Sequence, residues 1–194
     1  MVKEPRPGRV KTRLGQGIGM VGAAWWFRRQ TRALLRRLAD PRWDLVLAVS
    51  PDAEGMASRI WPAHLPRAPQ GRGDLGHRMG RLLRDLPPGP VVIVGADIPG
   101  VTRRHVADAF AELGRAPSVI GPAPDGGYWL IGLKRTSSPL ARLFEGVRWS
   151  TAHARADTER TLPHPIAHVA TLRDVDTAAD LWTPNGRDEP AHPC

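Results

Sequence analysis

A carboxylate placed just after an apolar, strand-like run is the first residue in this sequence that could do chemistry. Val91-Val92-Ile93-Val94 leads through Gly95 and Ala96 to Asp97, then to Ile98-Pro99-Gly100. In open α/β sheets ligands bind beyond the carboxyl ends of strands. A carboxylate there can hold Mg²⁺ or Mn²⁺, and such an ion offsets charge on a departing diphosphate. The same position also suits an aspartate that caps a helix or bonds a loop. Asp174 and Asp176 follow the last strand-like run. If that run neighbours the one before Asp97, a second metal ligand becomes available; the alternative is an N-cap for a helix over 178–182.

Two further segments have the composition of ligand-binding loops. Lys3, Arg6, Arg9, Lys11 and Arg13 surround Pro5, Pro7 and Gly8. Arginine forks and lysine ammonium groups suit phosphates, and backbone at Gly8 is free to approach one. The segment matches neither a Walker A loop nor a dinucleotide-binding glycine fingerprint, and a solvated basic loop has the same pattern. Asp125-Gly126-Gly127-Tyr128 sets a carboxylate beside two glycines and an aromatic face, which fits either close backbone approach to a polyhydroxyl or phosphate ligand or a plain tight turn.

The elements that must position these residues alternate. A basic loop over 5–17 feeds a helix from about Gly19 to Ala39, in which Trp25, Trp26 and Phe27 read as core packing. Strands are expected at 44–50, 91–100, 118–122, 127–133 and 166–172, and helices at 53–61, 75–86 and from Thr102. Asp74, in Gly71-Arg72-Gly73-Asp74-Leu75-Gly76, is placed to cap the helix over 75–86. This order predicts an α/β fold with a mostly parallel, three-layer sheet in one domain over 1–183, followed by a polar tail over 184–194.

Composition narrows the function classes. With 194 residues and 41% hydrophobic content the chain can bury a core without staples. Cys194 alone allows no intramolecular disulfide and no cysteine-rich metal site. No apolar run approaches a membrane span and the opening residues lack a secretory signal, so a cytoplasmic protein with no membrane partner is expected. A net charge of +9 calls for anions, yet no zinc-finger spacing and no aromatic RNA-binding strand supports nucleic acid. The histidines lack metallohydrolase spacing, and there is no Gly-x-Ser-x-Gly elbow.

Six blocks occur in register: Lys3-x-Pro5-x-Pro7-Gly8-Arg9-Val10-Lys11-Thr12-Arg13-Leu14, Gly73-Asp74-Leu75-Gly76-x-Arg78-Met79, Gly95-x-Asp97-x-Pro99-Gly100, Gly121-Pro122-x-x-Asp125-Gly126-Gly127-Tyr128-x-Leu130-Ile131-Gly132, Trp149-Ser150-Thr151 and Arg173-Asp174-Val175-Asp176-Thr177. Together they resemble a bacterial family of GT-A-type nucleotide-diphospho-sugar transferases that includes arsenosugar-biosynthesis glycosyltransferases. That family is similar to molybdenum-cofactor and phospholactate guanylyltransferases. The resemblance implies a Rossmann-like α/β/α fold. It further implies that Gly8, Arg9, Lys11 and Arg13 hold phosphates, that Gly73, Asp74 and Gly76 line a nucleotide pocket, that Asp97 and Asp176 bind Mg²⁺ or Mn²⁺, and that Asp125, Gly126 and Gly127 face the sugar or acceptor.

The expected function is metal-dependent transfer of a sugar from a nucleotide-diphospho-sugar to a small acceptor. Catalysis then falls to Asp97, Lys11, Arg13 and Asp125. Two alternatives keep parts of the site: a nucleotidyltransferase that joins a nucleoside triphosphate to a phosphorylated small molecule, and a basic nucleotide- or RNA-binding module. Related chains begin with an apolar strand before the Lys-x-Pro-x-Pro-Gly loop, whereas here Met1 and Val2 alone precede Lys3. The expectation is a truncated first strand and a true start upstream of Met1.

Overall fold

The β-branched run Val91-Val92-Ile93-Val94 forms a strand with side chains on alternate faces: Val92 and Val94 pack with Val119 and Leu130, and Val91 and Ile93 with Ile120 and Ile131. The computed structural model describes residues 1–135 and 142–181, so the predicted tail over 184–194 lies outside the described residues. Among the described residues, seven strands are arranged as a parallel three-stranded sheet, β1 (Val2–Lys3), β2 (Leu47–Ser50) and β3 (Arg67–Pro69), and a four-stranded sheet ordered β4 (Val91–Val94), β6 (Tyr128–Leu133), β5 (Ser118–Pro122) and β7 (Ile166–His168). The α-amino group of Met1 donates to Val94 O at 2.7 Å, from the first sheet to β4 of the second.

Helices cover both faces. On one, α2 (Met20–Leu38) and α5 (Arg103–Leu113) bury Leu34, Leu38, Val106, Ala109 and Leu113 over Val119 and Leu130. On the other, Met79, Leu82 and Leu83 of α4 (Leu75–Asp85) pack on Ile93, Ile120 and Ile131. Strands covered on both faces are largely apolar, as β5 and β6 are, with the buried Ser118 donating its hydroxyl to Pro163 O. The three-layer α/β expectation holds, with β6 antiparallel to both β4 and β5 because the turn at 123–127 returns the chain beside its own strand.

Local departures have local causes. The basic loop expected over 5–17 ends at Lys11, and α1 (Thr12–Ile18) follows; Gly19, at φ 80°, breaks it from α2. The strand expected at 44–50 begins at Leu47, and the one at 91–100 ends at Val94. The helix expected at 53–61 is the shorter α3 (Asp52–Ala57). Of the aromatic trio, Phe27 is buried and Trp26 half-buried, but Trp25 is 66% exposed, which corrects the core reading for that residue. Asp74 caps α4 as expected, its Oδ1 accepting from His77 N at 2.9 Å.

Candidate functional site

One cleft of about 980 Å³ opens at the carboxyl ends of β1 and β4 and is walled by loops from across the chain. Its floor is an ion cluster. Lys11 Nζ lies 2.5 Å from Asp97 Oδ2, 2.6 Å from Asp176 Oδ1 and 3.8 Å from Asp174 Oδ2. Oxygens of the three carboxylates come within 4.8 Å of one another.

Backbone pairing far from these atoms brings them together. Beyond β7 the chain continues alongside β5, with Val169 N donating to Ile120 O and Leu172 N to Pro122 O, until Val175 N reaches Asp97 O at 3.2 Å. Val175 is buried with Leu14 and Ala23, which packs α1 and α2 against the Asp174-Val175-Asp176 segment. Lys11 immediately precedes α1 in a left-handed conformation, φ 45° and ψ 49°. A non-glycine residue held there costs on the order of 1–3 kcal/mol and persists where surrounding contacts over-determine it. Here those contacts are the ion pairs of a side chain only 9% exposed.

The electrostatics follow from that crowding. Burial pushes the Lys11 pKa down, but Asp97 and Asp176 together outweigh it and hold the ammonium group above its ordinary value. Asp174 is pushed up to about 6, first by burial and then by Asp176 and its acidic neighbours, against a smaller opposing pull from Lys11. Three carboxylates against one ammonium leave two negative charges when all are ionised. Hard oxygen donors at this spacing, with that residual charge, fit a divalent cation such as Mg²⁺ or Mn²⁺.

The walls differ in chemistry. On the basic side Arg9, Arg13 and Arg78 line the cleft. Arg13 is 69% exposed and reaches Asp176 at 3.4 Å, and Arg9 lies 3.6 Å from Glu54, which also pairs with Arg6. Arg78 Nε donates to Gly73 O at 3.0 Å, shaping the turn whose Gly73, Asp74 and Leu75 face the cleft. Beneath them the buried Gln70 donates from Nε2 to Val2 O and Ala48 O.

The opposite wall is neutral and partly aromatic: Tyr128, Trp149, Ser150 and Thr151, with Asp125 and Gly127 beside them. Asp125 Oδ1 accepts from Gly127 N at 2.9 Å. Burial raises the Tyr128 pKa and keeps its phenol protonated. Behind Trp149, the buried Asp157 accepts from Arg148 N, Nε and Nη2 and from Arg160, tying the Trp149-Ser150-Thr151 turn to α6 (Ala154–Glu159).

Of the residues singled out from sequence, Lys11, Arg9, Arg13, Gly73, Asp74, Asp97, Asp125, Gly127 and Asp176 meet in the cleft. Three serve elsewhere. Gly8 is exposed with open space around it; Gly76 is buried where a Cβ would lie 2.7 Å from Phe144 and 2.8 Å from Trp149; and Gly126 backs onto the Ala152 carbonyl. Lys11 was expected to hold phosphates, but its ammonium group lies among the carboxylates. Neither Asp174 nor Asp176 acts as the cap: Asp180 Oδ2 accepts from Asp176 N and Thr177 N ahead of the single 3₁₀ turn Ala179–Leu181. Asp174, weighed from sequence together with Asp176 as a source of a second metal ligand, joins the cluster as a third carboxylate, whereas Gln70 and Arg78 as supports were missed.

The fold and the cleft define a GT-A-like nucleotide-diphospho-sugar transferase architecture. It resembles the crystal structure of a "putative nucleotide-diphospho-sugar transferase" from Desulfovibrio desulfuricans G20, at 34% identity and a TM-score of 0.78, over 91% of this chain and 80% of that one. Residues 33–151 match DUF2064, described as an uncharacterized protein conserved in bacteria, and the chain belongs to this family. No curated protein matches it.

Proposed function

We propose that the protein is a metal-dependent glycosyltransferase that moves a sugar from a nucleotide-diphospho-sugar to a small-molecule acceptor. The observation that carries this reading is the cluster of Asp97, Asp174 and Asp176 at the floor of a cleft with a basic wall on one side and a neutral, aromatic wall on the other. A divalent cation held by those carboxylates would supply charge neutralisation for a leaving diphosphate. Arg9, Arg13 and Arg78 present guanidinium groups to the phosphates of the donor, and fixed cations in a partly dry cleft stabilise developing negative charge better than water does. Lys11 keeps the carboxylates gathered and adds positive charge at the floor. The turn Gly73-Asp74-Leu75 receives the nucleoside. Trp149 and Tyr128 offer ring faces to a sugar, and Asp125 is placed to accept a hydrogen bond from a hydroxyl.

The test is a thermal-shift panel of nucleotide-sugars and nucleoside triphosphates, each with and without Mn²⁺, on the wild type and Asp97→Asn. A nucleotide-sugar that stabilises only with the metal, and only the wild type, is the expected result and identifies the donor. Stabilisation by triphosphates alone turns the assignment to nucleotidyl transfer. No metal-dependent shift in a folded protein overturns both.

A further inference from the structure

Outside the cleft, the least compensated surface is the outward face of α2. Val21, Trp25, Arg29, Arg32 and Arg36 follow one another at intervals of three and four residues, and all are exposed. That spacing draws one stripe along a helix. The other side of α2 is committed to the core through Ala24, Phe27, Leu34, Leu35 and Leu38, so the stripe cannot turn inward.

The stripe has two chemically distinct ends. At the first, Val21 is 62% and Trp25 66% exposed, beside the partly exposed Ile18 and Met20. At the second stand Arg29, Arg32 and Arg36, with Arg28 at the join, its guanidinium 5.9 Å from the Trp25 ring centroid. No acidic residue occurs between Glu4 and Asp40, and among the described residues none of these four arginines has a carboxylate within salt-bridge distance. Folding therefore leaves both an apolar cluster and a row of cations without partners on a helix already fixed in place.

The two ends together select the partner. A phosphate backbone would use the arginines but leaves Val21, Ile18 and Met20 without a role. The headgroup zone of an anionic bilayer takes both: an indole and short aliphatic side chains settle at the boundary with the acyl chains while arginines meet lipid phosphates. We propose that this face of α2 docks the protein on anionic phospholipid surfaces, with the helix axis in the membrane plane. From Val21 to Arg36 the stripe runs for roughly 22 Å at helical rise. The docking is peripheral, since no helix is long and apolar enough to cross a membrane.

The experiment is co-sedimentation of the full chain with vesicles of phosphatidylcholine containing phosphatidylglycerol, and with phosphatidylcholine alone. Each basic residue at such a surface is worth roughly fivefold in partitioning, so Arg29→Gln/Arg32→Gln/Arg36→Gln together weaken binding by about a hundredfold, and Trp25→Ala weakens it severalfold on its own. The control Arg104→Gln/Arg115→Gln/Arg142→Gln removes the same charge from exposed arginines elsewhere and keeps most of the affinity. Binding only to the anionic vesicles, lost in the stripe variants and kept in the control, is the expected result. The proposal is overturned by no vesicle binding, by equal losses in the two triple variants, or by retention on duplex DNA without association with vesicles.

Discussion

Replacing Asp174 by asparagine should make the metal-free protein more stable at neutral pH. The carboxyl is raised from its ordinary 3.8 to about 6, a gap of roughly two pH units at about 1.36 kcal/mol each. The folded state therefore holds the proton more tightly than the unfolded chain. Its contribution is fully present below about pH 4 and is lost as pH rises through about 6, after which the ionised group costs up to about 3 kcal/mol. The side chain is 28% exposed, and solvent screening roughly halves that figure, to about 1.5 kcal/mol. Among the described residues Asp174 makes no side-chain hydrogen bond that asparagine would forfeit; it forms the 3.8 Å ion pair with Lys11. In a domain of this size the gain corresponds to a rise in Tm of about 3–6 °C. Thermal melts of wild type and Asp174→Asn in a chelator at pH 7.5 and pH 4.5 measure it directly: the variant should lead at the higher pH, and the gap should narrow at the lower. An asparagine variant that melts at or below wild type at pH 7.5, or a gap independent of pH, refutes the argument that crowding of acids at Asp174 outweighs its attraction to Lys11.

Two other outcomes follow from the neutral wall. Gly126→Ala should lose upwards of about 3 kcal/mol in equilibrium unfolding, because a Cβ there meets the Ala152 carbonyl oxygen and carbon, and φ of +85° disfavours any side chain. Asp157→Asn should lower the Tm at neutral pH and weaken ligand binding through the Trp149-Ser150-Thr151 turn. Since Arg148 holds the Asp157 carboxyl far below the ordinary carboxylate range, its contribution persists through mild acid, and melts of the two proteins should converge only in strong acid.

Much of this architecture was legible because strands covered by helices on both faces carry apolar side chains on both faces. Residues 91–94, 118–122 and 128–133 stand out as β-branched and leucine-rich runs, and the capping aspartate Asp74 marks the start of α4. What could not be read had weak local signals. Arg67–Pro69 has no alternation and exists as a strand through its pairing with β2. The three glycines at 15, 17 and 19 hide a helix that is stabilised by Leu14 packing beneath Val175 and Ala23. Within the site, the strand-end position marked Asp97, but its union with Lys11, Asp174 and Asp176 depends on where the segment after β7 runs, a long-range pairing that no spacing along the chain reports. Trp25 misled for the opposite reason, since a tryptophan amid core residues gives no sign of which way its helix is turned.

The contact of Gly126 with Ala152 determines how the cleft can change shape. Gly126 O accepts from Arg155 N, the Ala152 carbonyl fills the space a Cβ at Gly126 would need, and Asp157 fastens Arg148 to the same block. The turn at 123–127 and the segment 148–157 are thereby one rigid jaw. A change in the 123–127 turn is therefore transmitted to the Trp149-Ser150-Thr151 side of the cleft, whereas the Gly71–Leu75 turn is held separately, through Asp52, Arg78 and Arg81.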